Sequence, residues 1–555
     1  MKMDQIKSFI KDAGKKVLAK PQHMTSKYNK DDLIHDNTII RKLYKGFMFT
    51  KKLYPRYKLK YFLGDFIEDV KTICTDPVEC NDLKENWIHF FISASDSEKL
   101  FMAQLFSLCG VFDDKICNML IKSARDTKDR DFRYWITMDI SETTFLLQNG
   151  FYDNYYIDRR ELLKQIAIDG NYNIPKKRNT VNSEKKTIAI ITYILSEDIY
   201  NSIQRVAMML AKGLHKYFNI YIFTLDSFYI PLKEENKINT ISYFRTFSSI
   251  KNRNSIDGLF GETASVKYVS TKSYINRNQE FLDNLYTVNP DCILDISDEC
   301  SPLSFFYFRD YPTVYMAMRS GASSSFFSYI TGKQERKEEL NQQFHFMKDE
   351  VIIDWGGFPE YVPPDTKGYS RSQLGIKKDQ FVIVTIGKCA DCCSNEFSEE
   401  IVELLENNKK MVWLIVGDKA PTYIHKKYPH LIQNKKIIER KFERNLKALC
   451  KECDCLLRPD VTGGSGATAI AAMSGLPIAM TSFLCDPMRW LGRDYSSIDN
   501  YHDLALYIEH LSSDQNFYIK EQFRTRDLVE KAINAEEKWE RLANELNKII
   551  EDGKL

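Results

Sequence analysis

The order of apolar and polar positions divides the 555-residue chain into three regimes. Up to about residue 170, apolar residues recur at i, i+3 and i+4, as in Tyr61–Ile73, Ser97–Cys109 and Arg159–Ile168. That spacing predicts helices with one buried face, and residues 1–170 are read as a helical N-terminal domain for docking an acceptor or a partner. No fixed period repeats, so a helical-repeat array is not expected. The polar stretch Gly170–Lys186, with Pro175 and several charges, reads as a linker, 171–186.

From Thr187 the pattern changes to short apolar, β-branched runs alternating with amphipathic helices. Strands are expected at Thr187–Ile194, Ile220–Thr224, Cys292–Ile296 and Thr313–Met316, with a helix at Gln204–His215. After a proline-bearing linker, 358–370, a second set follows: Phe381–Ile386, Met411–Val416, Lys436–Ile438, Cys455–Leu457 and Ile478–Met480. Strands alternating with helices imply parallel sheets covered on both faces. The expected fold is therefore α/β, with two doubly wound Rossmann-like domains, 187–357 and 371–526, behind an all-α domain. A long charged amphipathic helix, Asp527 to Ile550 within 527–555, ends the chain. In such sheets ligands sit at the carboxyl ends of the strands, so a cleft between the two is the expected site.

Composition narrows the classes. An apolar fraction of 43% and a charged fraction of 28% are ordinary for a globular protein, and a net charge of +2 gives no global reason to expect nucleic acid. No apolar run reaches the ~18–20 residues of a membrane span. The first residues lack a signal-peptide core. Ile6, Phe9, Ile10, Ala13 and Val17 share one helical face opposite lysines. The favoured reading is a helix packed on its own domain; the alternative is a peripheral membrane contact. A cytoplasmic location is expected. The 13 cysteines suit a reducing compartment. Cys389, Cys392 and Cys393, and Cys450, Cys453 and Cys455, have spacings that allow zinc, but Cys453 and Cys455 flank a buried strand entry. Small buried thiols are expected there and no metal. Lys, Ile and Asn richness hints at an AT-rich bacterial genome.

The stretch with most chemistry is Leu456–Pro477, LLRPDVTGGSGATAIAAMSGLP, which reads as strand, glycine-rich turn and helix. Gly463, Gly464 and Gly466 admit close approach of a ligand. Ser465 and Thr468 add hydroxyls, and the helix from Ala467 aims its free N–H groups and positive dipole end at the turn, which suits a diphosphate. Gly463, Gly464, Ser465, Gly466, Ala467 and Thr468 are thus the candidate nucleotide-sugar turn. Arg458 at the preceding strand end and Lys388 after Gly387 are candidate cations. Lys441, Phe442, Arg444 and Asn445 are candidates for bracketing a base, and Gly321 and Ser323 for a small-residue sugar loop. Asp295, Asp298 and Glu299, at or just past another strand end, are candidate carboxylates facing the cleft.

Four segments carry a family resemblance. Arg319–Ile330 resembles a Gly-x-x-x-(Ser)-x-Phe-x-Asp-Tyr-Ile loop with Ser328 in place of aspartate. Val384–Lys388 resembles the first strand and loop of a nucleotide domain, Lys441–Leu446 a base-contacting turn and helix, and Thr462–Pro477 a diphosphate turn and helix. Together, over roughly residues 185–520, they resemble GT-B glycosyltransferases, of the group containing O-GlcNAc transferases and bacterial cytoplasmic adhesin N-glycosyltransferases. The resemblance implies transfer from a nucleoside-diphosphate sugar, UDP-sugar favoured, to a protein side chain, with no cofactor beyond that donor. Lys388 would act in catalysis on the diphosphate.

Departures from the pattern are specific. Where many GT-B enzymes carry a ribose-holding carboxylate, five residues before the glycine of Gly-Leu-Pro, this chain has Ile470. The early loop, Leu195–Ser202, lacks the family's histidine, leaving Asp198 or Glu197 as substitute base. Two alternatives stay open: a transferase building a surface polysaccharide or glycolipid, and a catalytically silent partner of an active glycosyltransferase.

Overall fold

The computed structural model describes residues 30–50, 64–140, 155–178, 185–192, 195, 202–224, 253–269, 274–297, 303–316, 329–331, 351–353, 368–387 and 393–553, scattered positions within those spans aside. The amphipathic segment of residues 1–20 lies outside them.

Every element described before residue 170 is a helix. Helix Pro77–Ser93 starts where Asp76 accepts from the Val78 and Glu79 amides and a proline takes the first position. Its Trp87 stacks on Phe66 at 6.2 Å between ring centroids, inside a core that also takes Leu83, Phe90 and Phe91. Asp113 likewise caps Asp114–Asp126 and pairs with Lys84 at 3.0 Å.

The rest is built on two parallel sheets. Strands β1 (Thr187–Thr192), β2 (Asn219–Thr224), β3 (Ser265–Lys267), β4 (Cys292–Asp295), β5 (Thr313–Tyr315), β6 (Tyr329–Thr331) and β7 (Val351–Ile353) form the first, in the order β3-β2-β1-β4-β5-β6-β7. The second comprises β8 (Phe381–Ile386), β9 (Met411–Val416), β10 (Ile437–Arg440), β11 (Cys455–Leu457) and β12 (Ile478–Ala479), in the order β10-β9-β8-β11-β12. All pairings are parallel. Alternate residues enter different cores, as period-two geometry requires. Ile188 and Ile190 face one core of the first sheet, Ala189 and Ile191 the other. Val382 and Val384 face one core of the second, Ile383 the other. Both sheets are therefore covered on both faces, which is why their strands read as continuous apolar runs.

Strand order reverses between β1 and β4 in the first sheet, and between β8 and β11 in the second. Such switch points open a crevice at the carboxyl ends of the strands.

The end of the chain is two helices where one was expected. Helix Gln515–Ile533 packs against the helix Ser465–Met473 of the second sheet, and Gln522 Nε2 donates to the Gly475 carbonyl at 2.6 Å. After a break at Asn534 and Ala535, helix Glu536–Asp552 packs on the first sheet, against β4 and helix Ser202–Leu214. Its Trp539 lies on Gly213, where a Cβ would overlap the indole ring. Two doubly wound parallel sheets with a last helix returning to the first make a GT-B layout.

The polar stretch after residue 170 runs as a strap on the first sheet's helices. Gln279 exchanges bonds with the Asn173 backbone at 2.8 and 2.7 Å, and Lys177 donates to the Asp310 carbonyl at 2.6 Å. Of the second linker only 368–370 is described.

Candidate active site between the two sheets

At the second switch point, β8 and β11 pair directly, Cys455 with Ile383 and Leu456 with Val384. The loops leaving these two strands are therefore neighbours. After β8 comes Gly387 at φ +106, whose amide donates to the Val416 carbonyl at 2.8 Å. Gly417 at φ +99 packs against it, a Cβ there standing 3.5 Å from the Gly387 backbone. Lys388, the next residue in the chain, lies outside the described residues.

After β11 comes Arg458, only 6% exposed. Its guanidinium turns inward. Nη2 donates to the Val461 carbonyl at 2.6 Å and to the Gly463 carbonyl, and Nη1 to Thr468 Oγ1 at 3.4 Å. Thr468 is buried too, and its hydroxyl donates to the Gly464 carbonyl at 2.9 Å. Arg458 and Thr468, expected to reach a ligand, instead brace the turn from beneath. Gly464 sits at φ +97, and a Cβ there would stand 2.7 Å from Arg458 Nη1. Glycine is required by conformation and by contact alike.

The helix that follows, Ser465–Met473, has Gly464 as its N-cap with no side-chain cap bond. The amides of Ser465, Gly466 and Ala467 precede the first intrahelical bond, which runs from the Thr468 amide to the Gly464 carbonyl at 3.1 Å. The Gly466 and Ala467 amides stand at this helix start, with the positive dipole end. Ser465 is held by Trp490, whose Nε1 donates to its Oγ at 3.0 Å. Gly463 has open space where a Cβ would be.

Across the cleft stands Arg205, in the first turn and a half of helix Ser202–Leu214, which follows β1 at the other switch point. A Cβ on Gly466 would stand 3.8 Å from Arg205 Nη2. The two switch points thus meet at the glycine turn, one supplying a helix start and the other a guanidinium. Nothing in the sequence singles out Arg205 within the helix expected at Gln204–His215.

The base-side candidates are partly described. Lys441 is exposed, and Asn445 precedes helix Leu446–Cys450. Between them Glu443 is held by the Tyr369 hydroxyl at 2.9 Å, the Asn445 amide at 2.8 Å and Arg440 at 3.4 Å. The Glu443 bond pushes the Tyr369 hydroxyl above its ordinary pKa. Phe442, Arg444, Gly321, Ser323, Asp198, Asp298 and Glu299 lie outside the described residues.

Asp295 is corrected from a cleft carboxylate to a structural one. It is 1% exposed, and it accepts from the Ser297 amide at 2.8 Å, the Ser297 hydroxyl and the Tyr307 hydroxyl. Asp460, beyond Arg458, is held by Thr481 and by Tyr501 at 2.9 Å; burial and this carboxylate push Tyr501 up to about 12. Cys450 and Cys453 belong to one core of the second sheet and Cys455 to the other, so the three thiols do not meet. Burial pushes the Cys450 thiol up to about 12. Among the described residues no three His, Cys, Asp or Glu side chains gather as a metal set, and no helix is long and apolar enough to cross a membrane.

No protein-family model matches the chain, and no curated protein matches it by sequence. Solved structures resemble it in shape. A mutant Thermobaculum terrenum O-GlcNAc transferase is 13% identical, with 88% of this chain and 97% of that one covered, at a TM-score of 0.49. Anabaena Alr3699/HepE in complex with UDP and glucose is 10% identical, over 66% of this chain and all (100%) of that one, at 0.45. WaaG, a glycosyltransferase involved in lipopolysaccharide biosynthesis, is 12% identical over 65% and 99%, at 0.41. All three scores fall below 0.5, and the fold rests on the strand order and register given above.

Proposed function

We propose that the chain is a glycosyltransferase that binds a nucleoside-diphosphate sugar, UDP-sugar favoured, and transfers the sugar to a protein side chain in the cytosol. The observation that carries this reading is the uncapped helix start at Ser465–Ala467, braced from below by Arg458 and placed at the switch point of the second sheet. Oriented amides at a helix start suit a diphosphate, and they need no reorganisation as charge develops on it.

In the transfer, the bond between the sugar's anomeric carbon and the diphosphate oxygen breaks, and the electron pair leaves with the diphosphate. The acceptor hydroxyl or amide forms the new bond to that carbon, and its proton passes to a base, for which Asp198 in the loop after β1 is our candidate. Lys388, after the strand adjoining the turn, would share the charge of the leaving group. Lys441, Phe442, Arg444 and Asn445 would bracket the base, and Gly321 and Ser323 the sugar.

A second reading, a silent partner of an active transferase, is favoured by Ile470. It is buried in a core of the second sheet, where a ribose-holding carboxylate would be expected from the resemblance.

A thermal-shift screen against UDP, GDP, ADP, CMP, dTDP and their sugars tests both. A ligand at 100 times its dissociation constant stabilises the folded chain by ~2.7 kcal/mol, a readily measured shift. One nucleotide is expected to give it, and Gly464→Asp to remove it by driving a side chain into the Arg458 guanidinium. No response to any of them sinks the donor site. Binding without sugar-nucleotide turnover, together with co-purification of a second transferase, favours the silent partner.

A further inference from the structure

We propose that Cys74 and Cys80 form a redox-active dithiol, a modification site at which hydrogen peroxide joins the two sulfurs in one disulfide. The site lies in the helical domain and does not depend on the function proposed above. Cys74 extends the last turn of helix Gly64–Ile73, its amide donating to the Val70 carbonyl at 2.9 Å. Cys80 lies in the first turn of helix Pro77–Ser93, its amide donating to the Asp76 carbonyl at 2.9 Å. The short corner between these helices sets both side chains at the rim of one core, where each is half-buried. Both are free, and the Cys74 thiol donates a hydrogen bond to the Cys80 sulfur. Of the ten described cysteines six are buried, so this pair combines mutual contact with access for a small oxidant.

Lys84 stands one turn beyond Cys80 on the same helix face, paired with Asp113 at 3.0 Å, and its charge acts on both sulfurs. A lysine beside a thiol favours the thiolate, the nucleophilic form. Burial, and then the bond to Cys80, push the Cys74 thiol up to about 12, so Cys74 keeps its proton and Cys80 attacks. The Cys80 sulfur, giving up its proton, attacks one peroxide oxygen. The O–O bond breaks, the departing hydroxide takes that proton as water, and a sulfenic acid remains on Cys80. The Cys74 sulfur then attacks the Cys80 sulfur; the S–O bond breaks, and hydroxide leaves with the Cys74 proton as a second water. Two thiols and one peroxide thus give one disulfide and two waters, the electrons coming from the sulfurs. The bond would tie together the two helices whose Phe66 and Trp87 stack.

The test treats the full chain with hydrogen peroxide, blocks remaining thiols with iodoacetamide in denaturant, and maps tryptic peptides without reduction. Both cysteines fall in the peptide Thr72–Lys84, so the bond shows as a loss of two hydrogens and of both blocking groups. That product is expected before any other cysteine is oxidised, and dithiothreitol should reverse it. Cys74→Ser is expected to stop at a sulfenic acid on Cys80, trapped by dimedone, and Cys80→Ser to leave Cys74 reduced. Lys84→Met should slow the oxidation about 10-fold. Both thiols still blocked after other cysteines have oxidised would overturn the proposal, as would Cys80 joined to a different cysteine or to a second chain. A Cys74→Ser chain without a dimedone adduct overturns Cys80 as the attacking sulfur, and an unchanged rate in Lys84→Met overturns the part given to the lysine. Should a serine variant not fold, the wild-type peptide map still decides.

Discussion

Arg458→Ala is expected to destabilise the chain by about 3 kcal/mol and to abolish nucleotide binding in whatever protein stays folded. The side chain is buried, and its donors hold the Val461 and Gly463 carbonyls and the Thr468 hydroxyl. Removing it leaves buried carbonyls without a charged donor and opens a void under the turn. For a unit of this size, the loss lowers the unfolding midpoint by roughly 6–12 °C. Binding should fail for a separate reason: Gly464 would lose the wall that fixes its left-handed conformation, so the amides beyond it would no longer share one direction. Arg458→Lys is expected to rescue little, because a point charge cannot serve carbonyls on two sides. Differential scanning calorimetry and nucleotide titration check this together. A variant melting like wild type and binding nucleotide as tightly would show that the turn holds itself.

Trp539→Ala is the second large effect, about 3–5 kcal/mol as a fully packed tryptophan is truncated. The indole lies on Gly213 and is 6% exposed. Leu542, Leu546, Ile549 and Ile550 continue the same buried stripe into the core shared with the first sheet. With the first contact of that stripe gone, helix Glu536–Asp552 is expected to loosen from its N-terminal end, while helix Gln515–Ile533 stays on the second sheet. Limited proteolysis is then expected to cut near Asn534 and Ala535 more readily than in wild type. Gly213→Ala attacks the same contact from the other side and should give the same cut. Unchanged protease resistance in both variants would mean that the rest of the stripe suffices.

Much of this architecture was legible because its strands are buried on both faces. β8, β9 and β11 coincide with the runs Phe381–Ile386, Met411–Val416 and Cys455–Leu457, since a continuous apolar stretch has abrupt polar ends. Ser265–Lys267, Tyr329–Thr331 and Val351–Ile353 were not legible: three residues carry no period, and Ser265 and Val351 are exposed. The last helix was read as continuous because an amphipathic stripe passes through Asn534 and Ala535 without losing phase; the break is set by which sheet each half covers. At the site, sequence located the glycine turn but not the direction of its neighbours. Arg458 and Thr468 carry polar groups that look available, and only the packing around β11 shows them turned under the loop. Arg205 is one of 78 lysines and arginines, and nothing local separates it from a solvated residue. Its place beside the turn comes from packing between Gly466 and a helix more than two hundred residues away.

The break at Asn534 and Ala535 has a mechanical corollary. The helix before it packs on the second sheet and the helix after it on the first. Any change in the angle between the sheets must therefore be taken up in the backbone at this break, and a pair of labels on the two helices would read it as a distance.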